Sequence, residues 1–317
     1  HNSSEIVTLP DYRTRHALYK TDKALQTMHA RAPWIVTWDD HEVDNNYAGA
    51  IPEDQQTREQ LLERRANAYQ AYYEHMPLRA AARPKGSSML LYRNVAWGGL
   101  ADFTVLDTRQ YRTDQPCGDG RKPMCPGALD PAGTLLGEAQ HAWMERRLSE
   151  SKAIWNVVAQ QVLMAKIDFQ RGEGEVVSMD QWSGYEACRQ RVLRHLHDRE
   201  IANPVVLTGD IHSNWACDLK LDWRDERSAT VGVELVGTSI SSSGDGIDSM
   251  KGVEEVYAEN PHLKWQGARR GYVSCLVTPK QTRADYRTVA YVSRPGAPLE
   301  TPRSFVVEAG RPGLQKA

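Results

Sequence analysis

No run of apolar residues in this sequence approaches the ~20 needed to cross a bilayer as a helix. The N-terminus shows no charged-then-apolar leader of the secretory kind. There is no Cys-x-x-Cys pair, which removes a finger-type structural zinc site. A Gly-x-Ser-x-Gly turn and a Gly-rich loop ending in Lys-Ser or Lys-Thr are both missing, so neither a serine nucleophile nor a P-loop is supported. Charge of one sign is missing too. Thirty-nine basic residues against 41 acidic ones give a formal net charge of −2. Nothing therefore argues for a nucleic-acid or a membrane surface, and no protein partner is implied. Internal repeats, low-complexity blocks and flexible linkers are likewise not found.

What is present reads as a soluble globular protein: 317 residues, 40% hydrophobic and 25% charged. We expect one compact domain over residues 1–317, with residues 294–317, which hold four prolines, as a surface tail. The chain opens at His1 without Met and reads as mid-domain sequence, so an N-terminal truncation or a processed product is expected. Of the five cysteines, Cys117 and Cys125 lie in a Gly-, Pro- and Asp-rich loop, either as a local disulfide or as two free thiols. Cys188, Cys217 and Cys275 sit in apolar surroundings and are expected to be buried.

Strand and helix signals alternate. Apolar runs at Trp34–Thr37, Phe103–Leu106, Trp155–Ala159 and Val205–Leu207 each end in polar residues able to do chemistry. Such a pattern points to an α/β sheet whose C-terminal strand ends line one site. Thr230–Val236, Val273–Val277 and Ala284–Val292 alternate more and read as a mainly antiparallel set. A helix is expected from Gln56 to His75, with Leu62, Ala66, Tyr69, Tyr73 and Met76 on one face before Pro77. A second spans Gly137 to Ser151. A third starts at the capping-box pattern Ser183-Gly184-Tyr185-Glu186, with Cys188, Val192 and Leu196 on its apolar side.

The segment Trp38-Asp39-Asp40-His41-Glu42-Val43-Asp44-Asn45-Asn46 masses carboxylates at the end of the first of these runs. Like charges held together cost free energy, and bound cations are the simplest way to remove that cost. An EF-hand is excluded, because its sixth and twelfth loop positions would be Asn45 and Ile51 rather than Gly and Glu. The plainer alternative is a set of acids capping a helix or decorating a solvated turn. A second cluster, Gly209-Asp210-Ile211-His212-Ser213, ends the run at Leu207. In extended chain Asp210 and His212 would share a face, offering an oxygen and a nitrogen to one ion.

His41 and His212 stand apart from the other histidines because each neighbours carboxylates. An anion nearby raises an imidazole pKa, which suits a proton donor. Arg109 and Arg112 are the best anion clamps, since a guanidinium matches two phosphate oxygens; the alternative is a salt bridge to Asp107 or Asp102. Gln160 and Gln161 either orient water and substrate or form a hydrogen-bonded core pair. Met179–Tyr185 lines a pocket rim, or its Asp180 caps the following helix.

Thr37-Trp38-Asp39-Asp40-His41-Glu42-Val43-Asp44-Asn45-Asn46-Tyr47-Ala48-Gly49 closely resembles the motif of the PhoD-type alkaline phosphatases, within the calcineurin-like metallophosphoesterases. Leu106–Arg112, Ala159-Gln160-Gln161 and Thr208–Ser213 match further parts of that pattern in the same order, as does the stretch from Ile6 to Asp22. The resemblance implies a sandwich of two mixed β-sheets flanked by helices. It implies hydrolysis of phosphoric esters, mono- or diesters, by a metal-activated hydroxide at an iron and calcium centre, with other divalent metals conceivable. It also implies an exported protein. Carried onto this sequence, Asp39, Asp40, Asn45 and Asp210 become metal ligands, and His41, His212 and Arg109 catalytic residues. Arg109, Arg112 and Gln161 become substrate contacts. The family's Cys-bearing strand and Gly-Asp-x-x-Tyr loop, which hold the iron, are not among these residues, so part of the metal shell and its strands is expected to be missing. The rival expectation is a non-catalytic phosphate- or calcium-binding remnant of such an enzyme.

Overall fold

The computed structural model of the chain describes residues 4–317. Two compact units emerge. The first runs up to Arg93 and takes in Asp107–Asp114; the second holds Asn94–Leu106 and Gln115–Ala317.

The first unit is helical: α1 (Leu9–Lys20), α2 (Lys23–Arg31) and α3 (Arg58–His75). Thr57 and Gln60 cap α3 reciprocally, each backbone N–H finding the other's side chain. The buried face of α3 is Leu61, Arg64, Arg65, Ala68, Tyr69, Ala71 and Tyr72, rotated from the expected apolar stripe. Two arginines cause the rotation. Arg64 reaches the Tyr12 hydroxyl at 2.9 Å and Asp44 at 2.7 Å. Arg65 donates to the carbonyls of Gly49 and Ser87. An apolar pattern gives no weight to cations that are buried because they are paired. Trp38 stacks on Tyr69 at 4.0 Å within a core that includes Val36, Tyr47 and Leu61. Trp34–Thr37, expected as a strand, joins no ladder among the described residues; the Val36 carbonyl instead accepts from Arg93 at 2.7 Å.

The second unit carries β1 (Arg93–Trp97), β2 (Ala101–Val105), β3 (Arg121–Pro123), α4 (Gly137–Glu150), β4 (Trp155–Ala159), β5 (Val176–Ser178), α5 (Glu186–Asp198), β6 (Pro204–Thr208), β7 (Asn214–Lys220), β8 (Thr230–Val236), β9 (Gly246–Ile247), α6 (Val253–Glu259), β10 (Leu263–Val277), β11 (Gln281–Val289), β12 (Leu299–Glu308) and β13 (Arg311–Lys316). Eleven strands form one ladder in the order β1-β2-β4-β6-β8-β7-β10-β11-β12-β13, with β9 beside β10; β3 and β5 make a separate ribbon. β2, β4, β6 and β8 are parallel, and the later strands antiparallel.

Two layers arise because β10 belongs to both. Its first part, Leu263–Gly267, pairs with β7, and Arg270–Val277 pairs with β11. Gly271 lies between the layers, where a Cβ would fall 1.9 Å from the Arg287 carbonyl oxygen. The period-two alternation of the strands then sorts the core. Val205, Val233 and Leu235 face Tyr286, Phe305 and Val307 of the second layer. Val158, Val206 and Val236 face Met144 and Leu148 of α4 and Val192 and Leu196 of α5. This is the mixed α/β sandwich that the resemblance implies, with its second layer wholly antiparallel.

Residues 294–317, read from the sequence as a surface tail, carry β12 and β13. Phe305 and Val307 point into the core, and Pro302 falls where the β11–β12 register shifts between Tyr286 and Thr288. A proline is accommodated at such an irregularity because no ladder hydrogen bond is demanded of it. The expected capping box at Ser183 is not used. A 3₁₀ turn, Trp182–Tyr185, leads into α5, and Glu186 instead pairs with Arg189 at 2.8 Å. Cys117 and Cys125 are bridged; Cys188 and Cys217 are buried, whereas Cys275 is exposed on the outer end of β10.

Candidate functional site

In the first unit the acidic loop is a tight turn. The N–H groups of Val43 and Asp44 both return to the Asp40 carbonyl, at 2.7 and 2.8 Å. Asp40 Oδ2 accepts the Asn46 N–H at 2.9 Å. One carboxylate oxygen of Asp39 and one of Asp40 lie within 4.8 Å of each other. The Arg109 guanidinium answers this pair: its Nε is 2.6 Å from Asp39 Oδ1 and its Nη2 is 4.0 Å from Asp40 Oδ1. Asp107 aims it. The buried Asp107 Oδ1 accepts the backbone N–H groups of Arg109 and Gln110 and the Trp38 indole N–H, all at 3.0–3.1 Å. Burial pushes the Asp107 carboxyl up, and those donors oppose the shift. Desolvation also drives Glu42 up to about 7, with the Asp39 N–H opposing and the charges of Asp39 and Asp40 adding to the rise. Two carboxylates held as closely as Asp39 and Asp40 form a pair that a cation would stabilise.

His41 is exposed, with its Nε2 4.0 Å from Asp40 Oδ2. Asn45 is exposed as well, and its amide nitrogen donates to Glu53. Arg112 is buried, and its carbonyl packs against Gly49. Arg109 pairs with Asp39 and Asp40, and the Asp107 carboxylate accepts its backbone N–H.

In the second unit, β6 ends at Thr208 and the chain reverses. The Gly209 N–H reaches the Gln161 carbonyl at 3.0 Å, and Ile211 N–H bonds back to the Gly209 carbonyl at 2.8 Å. Asp210 and His212 adopt left-handed backbone, with φ of +65° and +49°. The extended geometry that would place both on one face is therefore not present. The His212 ring is exposed, with Nδ1 3.5 Å from the Ser243 hydroxyl. Left-handed non-glycine residues are strained by about 1 kcal/mol or more each, and surrounding contacts must hold them. Here Gln181 Nε2 donates to Asp210 Oδ2 at 2.5 Å, while Arg270 donates to the His212 carbonyl.

Beneath this turn lies a buried polar network. Glu234, fully buried, accepts from the Thr208 hydroxyl at 2.6 Å and from the N–H groups of Met164 and Ala165 at 2.8 and 2.7 Å. Burial pushes its carboxyl up against those donors. Gln160 donates to Thr208 at 2.7 Å and accepts from the Trp182 indole at 3.1 Å. Gln161 donates to the Leu106 carbonyl at 2.9 Å. Both glutamines are buried, and these bonds tie them to the strand ends around them.

Gln181, Glu234 and Arg270 were not singled out from the sequence. Gln181 lies inside Met179–Tyr185, the segment read as a pocket rim. Glu234 had a usable signal, a lone acid in the apolar strand Thr230–Val236. Arg270 had none, because it acts on a loop 58 residues away.

Comparison with known proteins identifies the family. The family model described as PhoD-like phosphatase matches residues 1–286. Alkaline phosphatase D of Bacillus subtilis (strain 168) is 50% identical over 316 residues, covering 100% of this chain and 54% of that protein. A solved structure described as the structure of PhoD superposes with a TM-score of 0.97 at 50% identity, covering 100% of this chain and 61% of the other. The chain therefore spans about half the length of the curated relative that it matches. On the match of the family model over most of its length, this chain belongs to the PhoD-like phosphatase family.

Proposed function

We propose that the chain carries metal-dependent hydrolysis of phosphoric esters, of the alkaline phosphatase or phosphodiesterase type. The observation that supports this most is the close Asp39–Asp40 carboxylate pair, read together with the family membership. Asp39, Asp40 and Asp210 would supply oxygens to the cations, with the Asn45 side-chain oxygen as a further donor. An all-oxygen donor set suits hard cations such as calcium; the resemblance implies iron and calcium. Bound cations would lower the pKa of an attacking water and neutralise phosphoryl oxygens.

The protein's own groups do the rest. Arg109 holds Asp39 in place, and together with Arg112 it supplies the positive charge that a phosphoryl group requires. His41, free of burial, would give a proton to the leaving oxygen, and His212 would contact the phosphate or a cation. Gln161 supports the turn that presents Asp210. The Cys117–Cys125 disulfide favours an oxidising, extracytoplasmic location, in keeping with export; among the described residues no helix is long and apolar enough to cross a membrane.

The test is metal analysis of the purified protein alongside hydrolysis of a chromogenic phosphate ester at alkaline pH. Stoichiometric metal, turnover lost to a chelator and turnover lost in Asp210→Asn with an unchanged far-ultraviolet spectrum are expected. Calcium binding with no turnover would replace this reading with that of a non-catalytic remnant.

A further inference from the structure

The bridged loop at Cys117–Cys125 has no part in the chemistry above, yet its Arg121 lines a cavity together with Gln181 and Ile211. The disulfide closes an eight-residue separation that contains β3, and β3 pairs with β5 so that Arg121 stands opposite Ser178. Arg121 lays its guanidinium over the Phe169 ring, Cζ 3.6 Å from the centroid. Phe169 meets Trp215 edge-on at 6.5 Å, and the Trp215 indole donates to the Ser213 hydroxyl at 2.8 Å. These residues and Gln181 line a cavity of ≈ 110 Å³. Gln181 is the residue that holds Asp210 Oδ2, and Ile211, next to Asp210, lines the same cavity.

Arg121 has no ion pair among the described residues. Its guanidinium carbon lies over the Phe169 ring, and a guanidinium stacked on an aromatic face keeps its N–H groups along its edge. A guanidinium stacked this way is ordered before any ligand arrives, and its edge matches two oxygens of a carboxylate or phosphate. Size narrows the ligand further. A cavity of about 150 Å³ holds a benzene, so this smaller one suits an oxyanion on a short chain rather than a ring system.

Resting on the proposed esterase reading, we infer that this cavity is a leaving-group subsite in which Arg121, presented by the disulfide-closed loop, binds a second oxyanion carried by the departing alcohol. The enzyme would therefore prefer phosphate esters whose leaving group is itself anionic. Arg121 and Phe169 set this preference, and the loop's covalent closure keeps Arg121 in register.

The experiment compares three substrates on the native, metal-loaded protein: glycerol 3-phosphate, 3-phosphoglycerate and glycerol 1,3-bisphosphate. The second carries a carboxylate and the third a second phosphate, which separates the two oxyanion sources. The two charged esters are expected to be favoured at least tenfold in kcat/KM, mainly through KM. Arg121→Ala should remove that preference while leaving glycerol 3-phosphate within about twofold, and Arg121→Lys should retain part of it. The double variant Cys117→Ser/Cys125→Ser should shift in the same direction as Arg121→Ala. Calorimetric binding of glycerate, weakened by Arg121→Ala while glycerol binding is unchanged, gives a readout independent of turnover. Equal loss on all three esters in Arg121→Ala, or wild-type protein with no preference, overturns the subsite. Absence of turnover on every ester would instead count against the esterase reading, and glycerate binding would still decide the subsite.

Discussion

The Gln181 side-chain amide donates to Asp210 Oδ2 over 2.5 Å, while its carbonyl oxygen accepts the Leu163 N–H. A single side chain thus ties a strained acidic residue to an ordered loop. On the proposed function Asp210 ligates a cation, and removing a group that orients such a carboxylate costs about 10–100-fold in metal affinity or activity. Gln181→Leu is expected to bind metal less tightly, measured by equilibrium dialysis with elemental analysis, and to lose activity by a similar factor. Gln181→Glu should do worse, because it places a second anion against Asp210. Wild-type metal affinity in Gln181→Leu would remove Gln181 from this role.

Arg109 and Asp39 form a nearly buried pair, with Arg109 fully enclosed. Removing one member of such a pair leaves an uncompensated charge and costs about 3 kcal/mol. Arg109→Ala should therefore be destabilised by that order in urea unfolding of metal-free protein. Adding Asp39→Asn should restore part of the loss, so that the double-mutant cycle shows a coupling well above 1 kcal/mol. Additive losses would mean that the two residues act separately.

Gly49 joins the acidic loop to the Arg109 turn. Its N–H reaches the Arg109 carbonyl at 2.9 Å and its carbonyl accepts from Arg65 at 2.5 Å. Its φ is +58°, and a Cβ would lie 2.8 Å from the Arg112 carbonyl oxygen. Gly49→Ala combines left-handed strain with a clash against backbone, and a loss of about 2 kcal/mol is expected. Thermal unfolding reads it directly; a variant as stable as the parent would contradict this geometry.

His262 gives a pH signature. Burial, reinforced by the nearby Arg189, lowers its pKa to about 3, and its ring packs against Trp223 at 5.6 Å. The unfolded chain takes up a proton near pH 6.5, whereas the folded imidazole stays neutral. Stability from this residue is thus complete above about pH 6.5 and declines as pH falls toward 3. The loss is about 2 kcal/mol by pH 5. Chemical denaturation from pH 7.5 to 4.5 should show this slope, and it should flatten in His262→Asn. An imidazole that titrates near pH 6.5 in the native protein's NMR spectrum would refute it.

Short-range information in the chain was enough for the parallel strands and for the acidic motifs. Trp155–Ala159 and Pro204–Thr208 are apolar runs buried on both faces, so composition alone marks them. Asp39, Asp40 and Asp210 are conspicuous because unbalanced carboxylates beside apolar strands are costly, and that cost is visible in one dimension. Their neighbours' roles were less legible. Trp34–Thr37 has the composition of a strand, but a strand exists only through a partner's hydrogen bonds. The tail from Arg294 looked polar and proline-rich, while two alternating side chains, Phe305 and Val307, were enough to dock it.

Local pattern pointed to residues able to do chemistry; folding settled what each of them touches. Asp39 meets Arg109 across 70 positions, Glu234 meets Thr208 across 26 and Arg270 meets His212 across 58. Propensity and periodicity act over a few residues. Contacts of this kind depend on where the backbone turns, as at Asp210, whose left-handed conformation is imposed by its partners and has no counterpart in its side-chain chemistry.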